Sequence, residues 1–89
     1  MAFVWDEKKA ASNLRKHGIE FGFAIRVFND PNQFEWPDDR FEYGEDRLNV
    51  VGLVDGIEIL VTYTMRGEDT RILSARMANR YEREDYWGS

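Results

Sequence analysis

Three side chains of this sequence are suited to proton transfer or to binding an anion. His17 is the only histidine, and its ordinary pKa lies near neutrality, so its imidazole could act as an acid or a base. Arg66 and Arg76 carry guanidinium groups, whose fixed, forked donors suit phosphate oxygens and stay charged at any relevant pH. These residue types are compatible with chemistry at a phosphate group.

Two of these residues also have a purely structural interpretation. A histidine at the end of a helix can hydrogen-bond the terminal carbonyls and interacts favourably with the helix dipole, which could be the role of His17. Arg76 could form an ion pair with Glu82 or Asp85, a few residues further along the chain, instead of binding a ligand. The sequence leaves both alternatives open.

The longest run of β-branched and aromatic residues, residues 57–65, predicts a central strand. Its alternation predicts a sheet with a buried back face and a wetter, accessible front face. In this strand the back face would carry Ile57, Ile59, Val61, Tyr63 and Met65, and the front face Glu58, Leu60, Thr62 and Thr64. The strong hairpin signal Asp55-Gly56 joins it to a strand over residues 48–54.

A third strand, over residues 71–77, would return after a loop over residues 66–70. We expect Thr62 to lie beside Ser74. That register places Thr62, Thr64, Ile72, Ser74 and Arg76 on the front face, and Leu73, Ala75 and Met77 on the back face. Arg76 would then stand on an open sheet face beside small hydroxyl residues, an unusual place for an arginine that only solvates the surface.

Helices are predicted on both sides of these strands in the chain. Asp6 suits an N-cap and Gly18 a left-handed stop, which gives a helix over residues 7–17. Its inward residues would be Ala10, Leu14 and His17. A second helix follows from the spacing of Phe21, Ala24, Ile25 and Phe28, and a last one from the capping-box pattern Asn79-Arg80-Tyr81-Glu82, running toward Trp87.

The order of these elements predicts an α+β domain. It would have two N-terminal helices, an antiparallel sheet of three to four strands and a C-terminal helix, with residues 1–5 and 34–36 as possible short strands. With 89 residues, 43% of them hydrophobic, we expect a single domain over residues 1–89.

Composition narrows the function classes. No apolar run approaches the twenty or so residues of a membrane span, and the first ten residues carry charges where a signal peptide would be apolar, so we expect a cytoplasmic protein. The absence of cysteine and the single histidine argue against disulfides, thiol catalysis and an ordinary structural zinc site. We expect no cofactor.

The net charge of −5 would normally argue against a nucleic-acid partner. Residues 30–49, however, hold seven acids and two arginines and account for the whole of this net charge of −5, so the rest of the chain is neutral. A small positive patch outside this acidic segment could still bind RNA.

Three stretches form a combination of motifs that covers nearly the whole chain. They are Trp5-Asp6-Glu7-Lys8-Lys9 continuing to Asn13-Leu14-Arg15-Lys16-His17-Gly18, then residues 21–30 ending in Val27-Phe28-Asn29-Asp30, then Arg71-Ile72-Leu73-Ser74-Ala75-Arg76 with Glu82 and Tyr86 downstream. Together they resemble the BrnT family of toxins. The combination is far more specific than any one of its pieces.

The resemblance implies a RelE-like ribonuclease toxin of a type II toxin–antitoxin pair. Such a toxin cleaves RNA without a metal, inhibits translation and is neutralised by a small DNA-binding antitoxin, here one similar to BrnA. Metal-free cleavage needs a base for the ribose 2′-OH, cations for the phosphate and an acid for the leaving oxygen. We therefore expect His17, Arg66 and Arg76 to be catalytic. RNA-binding residues would be Lys9, Lys16, Arg71 and Tyr86, although Lys9 and Arg71 could equally be solvated surface charges.

Three aromatic residues of the acidic segment, Phe34, Trp36 and Phe41, would be costly to expose without purpose. They form either a minor core or the apolar part of an antitoxin interface, and we expect the interface.

A second function also fits the acidic charge balance. Similar toxins are usually rich in lysine and arginine in the final helix, where this chain has Glu84 and Asp85, so it could be a non-catalytic module that binds the antitoxin and modulates its DNA binding.

Overall fold

The computed structural model describes residues 2–39 and 44–88. Its strands are β1 (Phe3–Val4), β2 (Phe34–Pro37), β3 (Leu48–Val54), β4 (Ile57–Arg66) and β5 (Asp69–Met77). Its helices are α1 (Glu7–His17), α2 (Phe21–Ala24), which continues as a 3₁₀ helix (Ile25–Asn29), and α3 (Arg80–Trp87). The predicted α+β class is confirmed.

The strands form one five-stranded sheet in the order β1-β5-β4-β3-β2. β2 to β5 pair antiparallel with their neighbours, whereas β1 pairs parallel with β5. The expected sheet of three to four antiparallel strands is therefore wrong in strand number and in direction. The possible short strand in residues 1–5 is present as the edge strand β1, in which Phe3 and Val4 lie opposite Thr70 and Arg71. Two residues carry too little pattern to reveal a partner at the other end of the chain.

Two tight turns connect the three long strands. Asp55 and Gly56 have φ angles of 51° and 80°, which suits the primed turn of a two-residue hairpin, so the predicted β3–β4 hairpin is confirmed. The expected loop over residues 66–70 is much shorter, because Arg66 pairs with Asp69 and only Gly67 and Glu68 form the turn. Arg66 therefore ends a strand instead of lying in a loop.

The back face of the sheet carries the larger core, against α1, α2 and the 3₁₀ helix. Ile59, Val61 and Tyr63 are buried there, as predicted, together with Phe21 and Val27. Ile57 and Met65, also expected on this face, lie at the ends of β4 and are 39% and 47% exposed. The helices thus cover the middle of β4 but not its ends.

The front face is less open than predicted. Leu60 is buried under α3 with Val51 and Ala78, in a second cluster that Trp36 and Tyr86 pack against. Thr62 and Thr64 are buried as well, at 6% and 2% exposure. Their hydroxyls donate hydrogen bonds to Asn49 Oδ1 at 2.6 Å and to the carbonyl of Asp46 at 2.5 Å. Alternation alone could not predict this cover, which comes from α3 and from the segment before β3.

A β-bulge in β5 corrects the predicted faces of that strand. Thr62 pairs with Ser74 as expected, but Tyr63 pairs with Ile72, which leaves Leu73 as an extra residue. The extra residue reverses the alternation, so Ile72 lies on the back face, where it is buried, and not on the front face. Ser74 and Arg76 keep their predicted front-face positions.

The first helix has the predicted bounds and caps. Asp6 accepts a hydrogen bond from the Lys9 N–H at 2.9 Å, and Gly18 takes the left-handed conformation at φ 72°. The inward residues differ from those expected, because Leu14 and His17 are exposed while Asn13 is buried. The second helix begins at Phe21 as predicted.

The 3₁₀ helix that follows α2 is set by a close contact with the sheet. The carbonyl oxygen of Val27 would lie 2.9 Å from a Cβ placed on Gly52, so only a glycine in β3 allows this approach. The narrower 3₁₀ helix brings Val27 fully into the core, which leaves Phe28 half-buried at its edge.

The last helix begins as predicted. Asn79 and Glu82 form a complete capping box, and the helix runs to Trp87 before Gly88 ends it in the left-handed conformation. None of the helices in the described ranges, 2–39 and 44–88, has the length and apolar character needed to span a membrane.

Candidate active site

Arg76 lies on the front face of β5, opposite Leu60 of β4. Its two terminal nitrogens donate to the two carboxylate oxygens of Glu82, both at 2.8 Å, and one of them also donates to the carbonyl of Met77 at 3.2 Å. Glu82 accepts a further hydrogen bond from the Asn79 N–H at 2.8 Å. This is the ion pair that the sequence left open, and it ties β5 to the first turn of α3.

The same arginine borders a small cavity, which we call the front-face cavity. It has a volume of about 150 Å³ and is lined by Trp36, Asn49, Leu60, Thr62, Ser74, Arg76 and Glu82. The register of the sheet explains this set, since Trp36, Asn49, Thr62 and Ser74 occupy successive paired positions across β2, β3, β4 and β5. One cation, one carboxylate, two hydroxyls, an amide and an indole therefore meet at one place.

His17 lies elsewhere. It is exposed at the end of α1 and borders an apolar cleft of about 490 Å³. The cleft is lined by back-face residues of the sheet, among them Ile59 and Met77, whereas Arg76 lies on the front face. The structure therefore does not bring His17 and Arg76 together around one reacting group.

Arg66 is also distant from Arg76. It ends β4 opposite Asp69, six residues along the strand from Leu60, which faces Arg76. At the rise of a β-strand this separates the two backbones by ~20 Å. The three expected catalytic residues therefore lie in three places, and Arg76 is the one that lies at the front-face cavity among several other polar groups.

The expected RNA-binding residues are spread as widely. Lys9 and Lys16 are exposed on α1, while Arg71 is half-buried in β5 between Val4 and Thr64. Phe34 and Trp36, expected at the antitoxin interface, lie on the front face with ring centroids 5.6 Å apart. Phe34 is exposed, and Trp36 packs against the cluster under α3. Phe41 falls outside the residues that the structure describes.

Tyr86, the fourth expected RNA-binding residue, holds α3 to the sheet. Its hydroxyl donates to Asp30 Oδ2, and the same carboxylate accepts from the Leu53 and Asn32 N–H groups, each at 2.8 Å. Burial and then this hydrogen bond raise the pKa of Tyr86 to about 12. For Asp30, burial acts to raise the pKa, but the three hydrogen bonds outweigh it and the pKa is lowered.

A second contact at the end of α3 joins the Trp87 Nε1–H to Glu58 Oε2 at 3.0 Å. The helix is thus fixed at its first turn by Arg76–Glu82 and at its last turn by Tyr86 and Trp87. Because it lies over Leu60, it forms one side of the front-face cavity.

Two asparagines matter that the sequence did not single out. Asn13 makes three buried hydrogen bonds: two join α1 to Ala75 at the edge of β5, and the third goes to the carbonyl of Ile19, just after α1. Asn49 lines the front-face cavity. A signal existed for each, since Asn13 belongs to the motif that ends in Lys16-His17-Gly18 and Asn49 interrupts an apolar strand.

Comparison with known proteins agrees with this arrangement of motifs. A search of curated proteins finds no match to the chain. The sequence profile of one family, described as ribonuclease toxin, BrnT, of type II toxin-antitoxin system, matches residues 5–82. The match includes Arg76, Glu82 and every other residue of the front-face cavity, whereas Tyr86 lies beyond it. Since the match covers most of its length, this chain belongs to the BrnT family of ribonuclease toxins of type II toxin–antitoxin systems.

Proposed function

We propose that this chain is a metal-independent endoribonuclease that cleaves RNA at the front-face cavity and thereby inhibits translation in the cytoplasm. The observation that carries the proposal is the position of Arg76, half-buried at a cavity that also holds hydroxyl, amide and aromatic groups. A guanidinium in such a place can stabilise the charge that develops on a phosphate during cleavage. The family to which the chain belongs makes RNA the natural substrate.

The groups at the cavity can be given roles in this reaction. Arg76 would contact the phosphate through N–H groups that its pair with Glu82 leaves available, since a guanidinium has five donors. Glu82, whose carboxylate lies 2.8 Å from the guanidinium, would accept the proton of the ribose 2′-OH. The 2′-oxygen would then bond to phosphorus as the bond from phosphorus to the 5′-oxygen breaks, and the leaving 5′-oxygen would take its proton from water. His17 and Arg66 as catalytic residues stay predictions, as does contact of Lys9, Lys16 and Arg71 with RNA.

The test is RNA cleavage and growth after induction without antitoxin, in wild type, Arg76→Ala and Arg80→Ala. We expect Arg76→Ala to lower cleavage about 100-fold, because removal of one such contact costs ~3 kcal/mol of transition-state stabilisation. Arg80 is a matched control, since it also pairs with a glutamate, Glu84 at 3.1 Å, but its side chain is 77% exposed. Arg80→Ala should cleave like wild type. Thermal unfolding of each variant checks that the fold is retained, and full toxicity of folded Arg76→Ala would remove Arg76 from the site.

We further propose that a BrnA-like antitoxin neutralises the toxin by covering the front face. Phe34 and Trp36 stand beside the front-face cavity, and Phe34 is exposed, so a partner bound to them would block access of RNA to Arg76. Aromatic anchors usually supply most of the binding energy of an interface, whereas exposed charges at its rim set the rate of encounter.

Binding kinetics with the antitoxin test this interface. Trp36→Ala should weaken binding by ~2 kcal/mol or more through faster dissociation, and Phe34→Ala should act in the same direction. Asp39→Asn, which neutralises an exposed acid just after β2, should mainly slow association at low salt. Unchanged binding of a Trp36→Ala protein that merely unfolds more readily would show that these aromatics serve the core and that the antitoxin binds elsewhere.

A second function is favoured by one observation. In the free protein both terminal nitrogens of the Arg76 guanidinium already donate to the Glu82 carboxylate, so a cation and an anion are in contact at the front-face cavity. A non-catalytic module that binds the antitoxin and modulates its DNA binding would keep such a pair for stability alone. The two functions separate in the assays above, because the module would bind the antitoxin without cleaving RNA or arresting growth.

A further inference from the structure

In the described part of the chain, the amide of Asn49 has a donor with no partner. Asn49 is 6% exposed in the middle of β3, and its Oδ1 accepts a hydrogen bond from the Thr62 hydroxyl at 2.6 Å. Within residues 2–39 and 44–88 its Nδ2 donates no hydrogen bond. In the same residues, every fully buried side-chain nitrogen or oxygen has a hydrogen-bond partner. The unpaired Nδ2 of Asn49 must therefore have some accessible surface, and Asn49 lines the front-face cavity.

The other buried asparagine shows what a purely structural amide looks like in this fold. Asn13 donates from Nδ2 to the carbonyls of Ile19 and Ala75, at 3.1 and 2.8 Å, and accepts from the Ala75 N–H at 3.0 Å. A donor left unpaired in a site closed to water costs ~1–3 kcal/mol, and Asn13 avoids that cost by pairing within the protein. Asn49 avoids it by facing an opening, so its amide is available to a molecule that enters the front-face cavity.

The other walls of the cavity suit a nucleobase. Ser74 pairs with Thr62 across the sheet, and its hydroxyl makes no hydrogen bond within the part of the chain that the structure describes. Trp36 adds an indole surface, and Leu60 is apolar. Unpaired RNA bases are recognised by stacking on aromatic side chains and by hydrogen bonds to their edges. The volume of about 150 Å³ equals that of about five water molecules, at ~30 Å³ each, which is room for one planar heterocycle.

We propose that the front-face cavity is a subsite for one unpaired RNA base, stacked on Trp36 and read by Asn49 and Ser74. The inference rests on the proposed function only in taking RNA as the source of the base. Within the described residues the Nδ2 donors of Asn49 are unpaired and call for an acceptor, so bases with a carbonyl oxygen, namely guanine, cytosine and uracil, should be preferred over adenine, whose acceptors are ring nitrogens. Oδ1 accepts one hydrogen bond from Thr62 and keeps a second lone pair, so the two-bond pairing of asparagine with adenine is the competing mode, and tighter binding of adenosine monophosphate than of the other three nucleotides would overturn the carbonyl preference.

The first experiment measures binding and needs no catalysis. The protein is titrated with each of the four nucleoside 5′-monophosphates, and the side-chain amide resonances of Asn49 are followed by NMR. We expect the guanosine, cytidine or uridine compound to bind about fivefold or more tightly than the adenosine compound, the difference expected of one hydrogen bond. The Asn49 amide resonances should shift on binding.

Ser74→Ala should reduce this preference, and because the Ser74 hydroxyl has no partner in the described residues, the variant should fold normally. Ser12→Ala, on the exposed surface of α1, is the matched control and should bind like wild type. Asn49→Ala is added where its thermal unfolding is cooperative; otherwise Ser74→Ala carries the test. Failure to bind any of the four nucleotides, or equal binding of all four, would overturn the subsite.

The second experiment maps cleavage sites on RNA and separates the two proposals. Selective nucleotide binding without RNA cleavage would overturn the ribonuclease activity and leave the subsite standing. Conversely, RNA cleavage whose base preference is unchanged in Ser74→Ala and Asn49→Ala would overturn the subsite and leave the ribonuclease activity standing. A changed base preference in these variants, with cleavage retained, would support both.

Discussion

Asn13 should be one of the most important residues for stability, although it is neither apolar nor part of the sheet. Ala75 lies in β5, whose outer edge is paired with β1 only at Thr70 and Arg71. The N–H and C=O groups of Ala75 point to that edge, where both are bonded to the Asn13 side chain. Ala75 has no exposed surface, so water does not easily replace these bonds.

We expect Asn13→Ala to lower the free energy of unfolding by ~3 kcal/mol. The substitution removes three hydrogen bonds, worth ~1 kcal/mol each in net terms, and leaves two peptide groups of Ala75 and one carbonyl of Ile19 without partners. For a domain of this size, each kcal/mol lowers the melting temperature by ~4–8 °C, so Tm should fall by ~12–24 °C. Urea and thermal unfolding followed by circular dichroism measure both quantities.

Two further variants sharpen this test. Ser12→Ala, next in the chain and exposed, should leave stability within ~0.5 kcal/mol of wild type. Asn13→Asp keeps an acceptor for the Ala75 N–H but places a carboxylate oxygen against the carbonyl oxygens of Ile19 and Ala75. Because these oxygens repel the charged form, the pKa of the introduced carboxyl should be raised in the folded state. Its destabilisation should then be largest above that pKa and lessen as the pH falls. An Asn13→Ala protein within ~1 kcal/mol of wild type would refute the reasoning.

Two other predictions concern packing and pH. Gly52→Ala should destabilise the protein by ~1–3 kcal/mol, because the new Cβ would lie 2.9 Å from the Val27 carbonyl oxygen. Gly22→Ala should stabilise it by up to ~1 kcal/mol, since a Cβ there would have nothing within 4 Å. Denaturant unfolding of both variants measures these changes. The pKa of Tyr86 rises from 10.0 in the unfolded chain to about 12 in the folded protein. The hydrogen bond from Tyr86 to Asp30 should therefore contribute stability that is fully present below pH 10.0 and is lost as the pH rises through about 12. Tyr86→Phe should remove this alkaline loss, and an unchanged pH–stability profile would contradict the role of the bond.

The elements that the sequence predicted well are those whose ends are set by local interactions. The bounds of α1 follow from the Asp6 cap and the Gly18 stop, and the β3–β4 hairpin follows from Asp55-Gly56. Each of these signals acts over three or four residues, so no distant contact is needed to interpret it. The capping box of α3 is of the same kind.

The errors arose where a distant contact decides the structure. The β-bulge that returns Ile72 to the back face is a property of two paired strands, and β5 alone does not reveal it. The pairing of β1 with β5 joins the two ends of the chain. Leu14, although apolar, is exposed, because Asn13 takes the inward position to bond the edge of β5.

By itself, the sequence determined the bounds of α1, the start of α3, the β3–β4 hairpin and the combination of motifs that marks the family, because all of these depend on short-range chemistry or on residue identity. Only the tertiary structure decided which candidate residues meet. It placed Arg76 against Glu82 beside the front-face cavity, His17 at a cleft on the back face, and Arg66 at the far end of β4. The physical reason is that the two faces of a sheet are separated by the sheet itself, so the face that a side chain occupies decides which residues it can contact.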